Sequence, residues 1–357
     1  MKTKFSQLMV AIALAFVSQA IMIASPATTA EIDCGAPRYA LDQSPKRSGI
    51  ELRYPKGQVS MLGEGWVRLG FTVTPTGDVQ GIWLIDIVGA PIFAHAASGA
   101  LAKSKYAPAV HGGRPVEFHG EFDAQFMIEG KNRAGTHAVV GSNYDKAKVY
   151  RDLGDHQRSV EILQESLKLT LNMYEYAITS YGLTVSYLGL KDYRRALLHV
   201  RHAAVGDAEF ADRGQRKSAL ALLAELEARD GNFRASLCAF ESLKKKYPDF
   251  QPAARLEELL ATARRELTAA TPVETQVELV ESGREDLPAM WSHAVLRPAL
   301  QFKAVQGRLK SFRLACPTAE IEGDFPVLHP VNVDRGVGEC RLYVFGDPGA
   351  KFVLVEQ

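Results

Sequence analysis

His199 and His202 stand three residues apart in a segment with helical periodicity, a spacing that lets one helix face offer two rings to a metal ion. A metal site needs further ligands. None is evident nearby, and Arg195 and Arg201 add positive charge that disfavours a cation. The pair therefore reads as solvated or groove-lining. His111 and His119 flank Gly112-Gly113 and could face each other across a hairpin, with the same shortage of ligands. Gly63-Glu64-Gly65 has the glycines of a dinucleotide fingerprint but opens a strand, so a phosphate would meet no helix amino terminus, and Gly336-Val337-Gly338 likewise precedes no helix. The chain has no Gly-x-Ser-x-Gly elbow and no nucleophile beside an evident base. Consecutive acids such as Glu257-Glu258 point apart on a helix and read as surface charge. These residues point away from an enzyme, a metal and a cofactor.

The four cysteines offer different chemistry. Lys2 and Lys4 precede an apolar stretch from Leu8 to Val17 that continues with interruptions to Ala24, and small residues follow in Ala27-Thr28-Thr29-Ala30. That layout predicts a secretory signal over residues 1–30, cleaved after Ala30 or, less deeply, after Ala20. The alternative is an uncleaved anchor in the inner membrane, facing the periplasm. Export makes disulfides permissible, and Cys316 with Cys340 is the best-placed pair, both in a strand-rich tail. Cys238, on an apolar helix face, reads as a small core residue. Formal charge is +1 for the whole chain, and removing residues 1–30 takes away two lysines and no acid, leaving −1. A near-neutral chain carries no electrostatic footprint for nucleic acid. The basic run Lys244-Lys245-Lys246 ends an amphipathic helix, where it complements the helix dipole.

Three elements must position whatever this chain binds. In Gly65-Trp66-Val67-Arg68-Leu69-Gly70-Phe71-Thr72-Val73 the apolar side chains alternate, which predicts a half-buried strand. Thr74 to Asp78 supplies a turn, Val79 to Val88 a second strand, and Phe93, Ala96, Ala97, Ala100 and Leu101 fall on one face of a short helix. Gly112-Gly113-Arg114-Pro115 turns into a last strand from Val116 to Ile128. With Tyr54-Pro55 upstream, this order of motifs resembles the carboxy-terminal domain of the TonB family over about residues 53–129. The matching pieces are Gly-Glu-Gly-Trp-Val, Pro-Thr-Gly-Asp-Val, Lys-Tyr-Ala-Pro and Gly-Gly-Arg-Pro-Val. The resemblance implies a periplasmic domain that pairs an edge strand with peptide segments of outer-membrane transporters. Departures matter too. The apolar leader contains no histidine, and only Pro26, Pro37 and Pro45 precede Tyr54, where family energy transducers carry a proline-rich rod.

From Ser142 to about Leu267 the chain is rich in Ala, Leu, Glu, Lys and Arg with helical periodicity. Three turns align, at Gly154-Asp155, Lys191-Asp192 and Gly231-Asn232, separated by 37 and 40 residues. The pattern resembles degenerate tetratricopeptide repeats, longer than usual and without the signature tryptophan, and implies stacked helix pairs with a concave groove. Thr268 to Pro272 breaks the pattern, and a β-rich tail follows in which Cys340 to Phe345 and Lys351 to Val355 suggest a hairpin.

The expected class is thus an α+β multidomain chain: residues 1–30 a signal, 31–52 a linker, 53–130 a small TonB-like αβ sandwich, 142–269 a TPR-like helical solenoid and 272–357 a small β module. The candidate partner-binding residues line the last strand of the sandwich: Val116, Phe118, Glu121, Asp123, Gln125 and Met127. There the core would root Phe118, Phe122, Phe126 and Ile128 while the backbone offers pairing to a protein or peptide of the envelope. The alternative is a periplasmic scaffold that assembles protein complexes without transducing energy. Neither reading includes a small-molecule substrate or nucleic acid.

Overall fold

Val67, Leu69, Phe71 and Val73 are all buried on one face of a strand, as their alternation predicts. The protein is seen in a computed structural model that describes residues 34, 41–49, 51–128, 135–205, 213–282, 284, 287–334 and 338–357; the expected leader lies outside the described residues. In chain order the first module holds β1 (Lys46–Ser48), α1 (Lys56–Ser60), β2 (Gly65–Val73), β3 (Val79–Val88) and α2 (Ile92–Ala102). Then come β4 (Lys105–Ala107), β5 (Ala109–His111), β6 (Arg114–Val116) and β7 (Phe118–Phe126). β2 is the central strand of an antiparallel sheet of order β3-β2-β7. Phe93, Ala97 and Leu101, four apart on α2, are fully buried against Val67, Leu69, Ile87 and Phe126. Gly77 closes the β2–β3 turn with φ +85°, and a Cβ there would come 2.0 Å from the Tyr106 carbonyl oxygen, so only glycine fits.

The strand expected from Val116 to Ile128 is two strands. Val116 ends β6, which pairs with β5 in a small hairpin, and β7 begins after Glu117. The half-buried reading of β2 is also incomplete, because its second face is covered. Trp66 packs with Met173, Tyr176 and Val205. Gly70 leaves room for the Trp83 indole, whose Nε1 would lie 2.2 Å from an added Cβ. Thr72 Oγ1 lies 3.0 Å from His119 Nδ1.

Seven helices follow among the described residues: α3 (Ala138–Asp152), α4 (His156–Leu167), α5 (Met173–Gly189), α6 (Tyr193–Ala204), α7 (Arg213–Arg229), α8 (Phe233–Lys246) and α9 (Ala254–Thr268). Each packs on the next, and α3, α5, α7 and α9 also touch in succession, the pattern of stacked helix hairpins. The aligned turns explain how each hairpin closes. Gly154, Lys191 and Gly231 take left-handed conformations, and Asp155 and Asp192 cap the following helix by accepting from the Arg158 and Arg195 amides at 3.0 Å. Asn232 holds the same position but makes no cap. Its Oδ1 lies 3.0 Å from His293 Nδ1 and accepts from the Ala294 amide at 3.4 Å, so the third turn grips the next module.

That module comprises β8 (Val273–Glu278), β9 (Ala289–Ala294), β10 (Ala299–Gln306), β11 (Leu309–Cys316), β12 (Ala319–Asp324), β13 (Val331–Asn332), β14 (Arg341–Gly346) and β15 (Lys351–Glu356). Two antiparallel four-stranded sheets, ordered β13-β10-β15-β8 and β12-β11-β14-β9, share one core that includes Trp291, Phe312, Leu342, Phe352 and Leu354. The hairpin expected from the last two strands does not form. β14 lies between β9 and β11, whereas β15 lies between β8 and β10 in the other sheet. The connection crosses over because Ala350 and Gly349 bond to the backbone of Leu279, beyond β8. Both strands then point their apolar residues into the shared core from opposite sides.

Cys316 and Cys340 are bonded as expected, and Cys238 is bonded to Cys34 where a free core cysteine was expected. The three modules belong to one compact unit, residues 32–357.

The diverted cap gives a test. Asn232→Ala should cost about 1–3 kcal/mol by stranding a buried polar contact, more than the roughly 1 kcal/mol expected for Asp155→Ala, which removes only a cap. Urea denaturation of both variants decides it; equal losses would mean that the Asn232 contact with the next module is worth no more than an ordinary helix cap.

Candidate functional site

β7 has a neighbour on one side only. It pairs with β2 from Gly65↔Phe126 to Val73↔Phe118, and among the described residues no strand lies on its other side. The His119 amide donates to the Pro317 carbonyl at 2.8 Å, so the backbone of His119 points away from β2. In an antiparallel strand successive residues alternate in this respect. Glu121, Asp123 and Gln125 therefore direct their N–H and C=O groups to the open side, and all three are exposed. Phe122, Ala124 and Phe126 bond toward β2 and bury their side chains beneath α2. At the far end the Ile128 amide donates to Glu64 Oε1 at 3.2 Å, and Met127 is half-buried. The open margin thus runs from Gly120 to Met127. Of the expected residues, Glu121, Asp123, Gln125 and Met127 lie along it, and half-buried Phe118 opens the strand opposite Val73. Val116 lies apart, with its backbone committed to Ala109. Sequence patterning missed the Pro317 contact, which joins segments almost two hundred positions apart and has no local signal.

Two of the outward side chains on this strand, Asp123 and Glu121, are already engaged. Asp123 accepts two bonds from the Arg68 guanidinium, at 2.7 and 2.8 Å. Glu121 accepts from the Tyr343 hydroxyl at 2.5 Å and lies 3.2 Å from Arg341 and 3.6 Å from Arg68. Burial tends to raise the Glu121 pKa, but the Arg341 and Arg68 charges and the Tyr343 hydroxyl outweigh it and hold the carboxyl below its ordinary range. Burial, then the neighbouring Glu121 charge, pushes the Tyr343 hydroxyl well up. A neighbouring contact joins Asp86 of β3 to His202 at 3.0 Å, so His202 serves an interface and His199 stacks on Tyr187 instead. His111 and His119 do not face each other: the first pairs with Arg114, the second with Thr72. Among the described residues no group of three His, Cys, Asp or Glu could hold a metal ion, and no helix is long and apolar enough to cross a membrane.

A carboxyl whose pKa is depressed by folding stabilises the fold above its unfolded pKa and loses that contribution as pH falls. Wild-type protein should therefore lose stability relative to Glu121→Gln as pH drops through about 4 and below, read from thermal melts across that range. Parallel curves for the two proteins would show that the Glu121 cluster does not couple folding to protons.

Comparisons with known proteins bear on this edge. The family model described as the Gram-negative bacterial TonB protein C-terminal matches residues 50–128. The solution NMR structure of the Pseudomonas aeruginosa TonB CTD is 27% identical to this chain, covering 26% of it and 93% of its own length, with a TM-score of 0.24. No curated protein matches the chain. On the family match and the motifs that carry it, residues 50–128 are a TonB-family carboxy-terminal domain.

Proposed function

We propose that this chain is a periplasmic protein that takes an extended segment of another envelope protein onto the open edge of β7. The observation that carries the reading is the backbone of Glu121, Asp123 and Gln125, unpaired among the described residues, beside a core-anchored row of Phe122, Ala124 and Phe126. Such an edge gives affinity through main-chain bonds, and the fixed core side supplies the rigidity that makes pairing inexpensive in entropy. TonB-dependent outer-membrane transporters are the partner class that the family suggests.

A second reading, a scaffold that does not transmit force, is favoured by a specific observation. The domain is fixed to the rest of the chain through Glu121, Asp86 and Trp66, so it is not a free head on a tether. The stacked hairpins, tetratricopeptide-like in their turns and succession, would then offer a further surface for assembly. Both readings use the same edge, and they differ in whether an inner-membrane motor drives it.

Gln125→Pro tests the edge. Proline removes an N–H that faces away from β2, a position where edge strands tolerate it, so melting should change little while partner capture from envelope extract is lost. Ala124→Pro, which breaks a bond toward β2, should instead destabilise the domain by about 3 kcal/mol or more. An unchanged set of captured partners with folded Gln125→Pro protein would count against strand pairing.

A further inference from the structure

We propose that the cavity where the three modules meet binds a small uncharged molecule, mainly apolar and bearing at least one hydrogen-bonding group. The cavity measures about 740 Å³, within the range of small-molecule sites. Its walls come from the end of β3 and the start of α2, from α4 to α6, and from the chain after β8. Ile87, Val88, Leu171 and Leu198 supply apolar surface, and Tyr187 and His199 supply polar groups.

Most charged groups around the cavity are already paired or hydrogen-bonded. Lys168 holds Glu165 at 2.7 Å, Arg195 holds Asp192 at 2.5 Å, and His202 holds Asp86 at 3.0 Å. Arg284 donates to the Gly89 carbonyl at 2.7 Å, and the Glu64 carboxylate accepts from the Ile128 and Met173 amides. Glu281 is exposed to water. A charged ligand would have to break one of these pairings or forgo its own hydration.

Neutral hydrogen bonding is what the cavity leaves unanswered. The Tyr187 hydroxyl accepts from Gln164 Nε2 at 3.0 Å, which frees its own proton for donation. His199 lies parallel to Tyr187 with ring centroids 5.5 Å apart, and both side chains belong to residues only 5% exposed. The His199 Nδ1 is buried with no hydrogen-bond partner among the described residues, an arrangement that proteins rarely leave unsatisfied. Burial first, then the His202 and Arg195 charges, lowers the His199 pKa to about 3, so the ring is neutral at ordinary pH. A molecule that brings a hydrogen-bonding group to this pair and apolar surface to Ile87 and Leu198 matches both features. The site is separate from the β7 edge and stands whether or not strand pairing occurs there.

The test is titration of the full chain with two dyes that share one skeleton: uncharged N-phenylnaphthylamine, which carries an N–H, and its anionic relative anilinonaphthalene sulfonate. Saturable fluorescence enhancement is expected for the uncharged dye, with the sulfonate weaker by about tenfold or more. His199→Phe keeps the stacked ring and removes the nitrogen, and should weaken the uncharged dye by about tenfold. Leu198→Trp should abolish binding by filling the space, with Leu171→Trp as the second filling variant should the first melt at lower temperature. Non-saturable binding, equal affinity for both dyes, an unaffected His199→Phe variant, or unchanged affinity in both folded tryptophan variants would each overturn the proposal.

Discussion

Arg68 stands at the centre of the contact on which the rest of the molecule depends. It projects from the middle strand of the amino-terminal sheet, on the face away from α2, and holds Asp123 with two bonds while Glu121 ties the same patch to Tyr343 and Arg341. A partly covered guanidinium is held in place where carboxylates meet it with good geometry, and here they come from the adjacent strand. Around this polar centre sit apolar contacts that commit the face to burial: Trp66 against Met173 and Val205, and Trp83 edge-on to Tyr343 with ring centroids 4.8 Å apart. A sheet that would otherwise have one wet side is closed on both.

This closure has opposite consequences for the two margins of β7. Its inner margin is fixed to β2, and among the described residues its outer margin stays open, because the covering elements approach the face and touch the edge at one backbone bond, from His119 to Pro317. Side chains of Glu121 and Asp123 are engaged while, among the described residues, their backbone groups are not. A segment pairing here, as proposed, would be held by main-chain bonding, with side-chain selectivity left to the exposed Gln125 and the ends of the strand. The same closure creates the cavity lined by all three modules, since curved surfaces of a sheet, a helix stack and a β sandwich do not fill the space between them.

The helical stack and the sandwich are joined by a device of similar kind. Asp155, Asp192 and Asn232 occupy equivalent places in three turns, yet only the first two spend their side chains on capping. Asn232 reaches His293, which is fully buried and lies 2.6 Å from Glu356. One of three equivalent turn positions is thereby converted from local closure to attachment between modules. The Cys316–Cys340 bond ties β11 to the entry of β14, and the Cys34–Cys238 bond ties the start of the described chain to α8.

Short-range patterning determined much of this protein. The period of two in Val67 to Val73, the four-residue spacing of Phe93, Ala97 and Leu101, the Thr-Gly-Asp turn and the three aligned helix turns each state a local geometry, because strand and helix periodicity and left-handed turns are properties of a few adjacent residues. The family motifs over residues 50–128 were legible for the same reason. Only the tertiary structure decided that β2 is buried on both faces, that Val116 belongs to another hairpin, that β14 and β15 enter different sheets, and that Cys238 meets Cys34. Those outcomes depend on pairs such as Arg341 with Glu121 or His202 with Asp86, separated by a hundred positions or more. No local period encodes such a partner, and the burial that makes the pairing favourable exists only once the modules have packed.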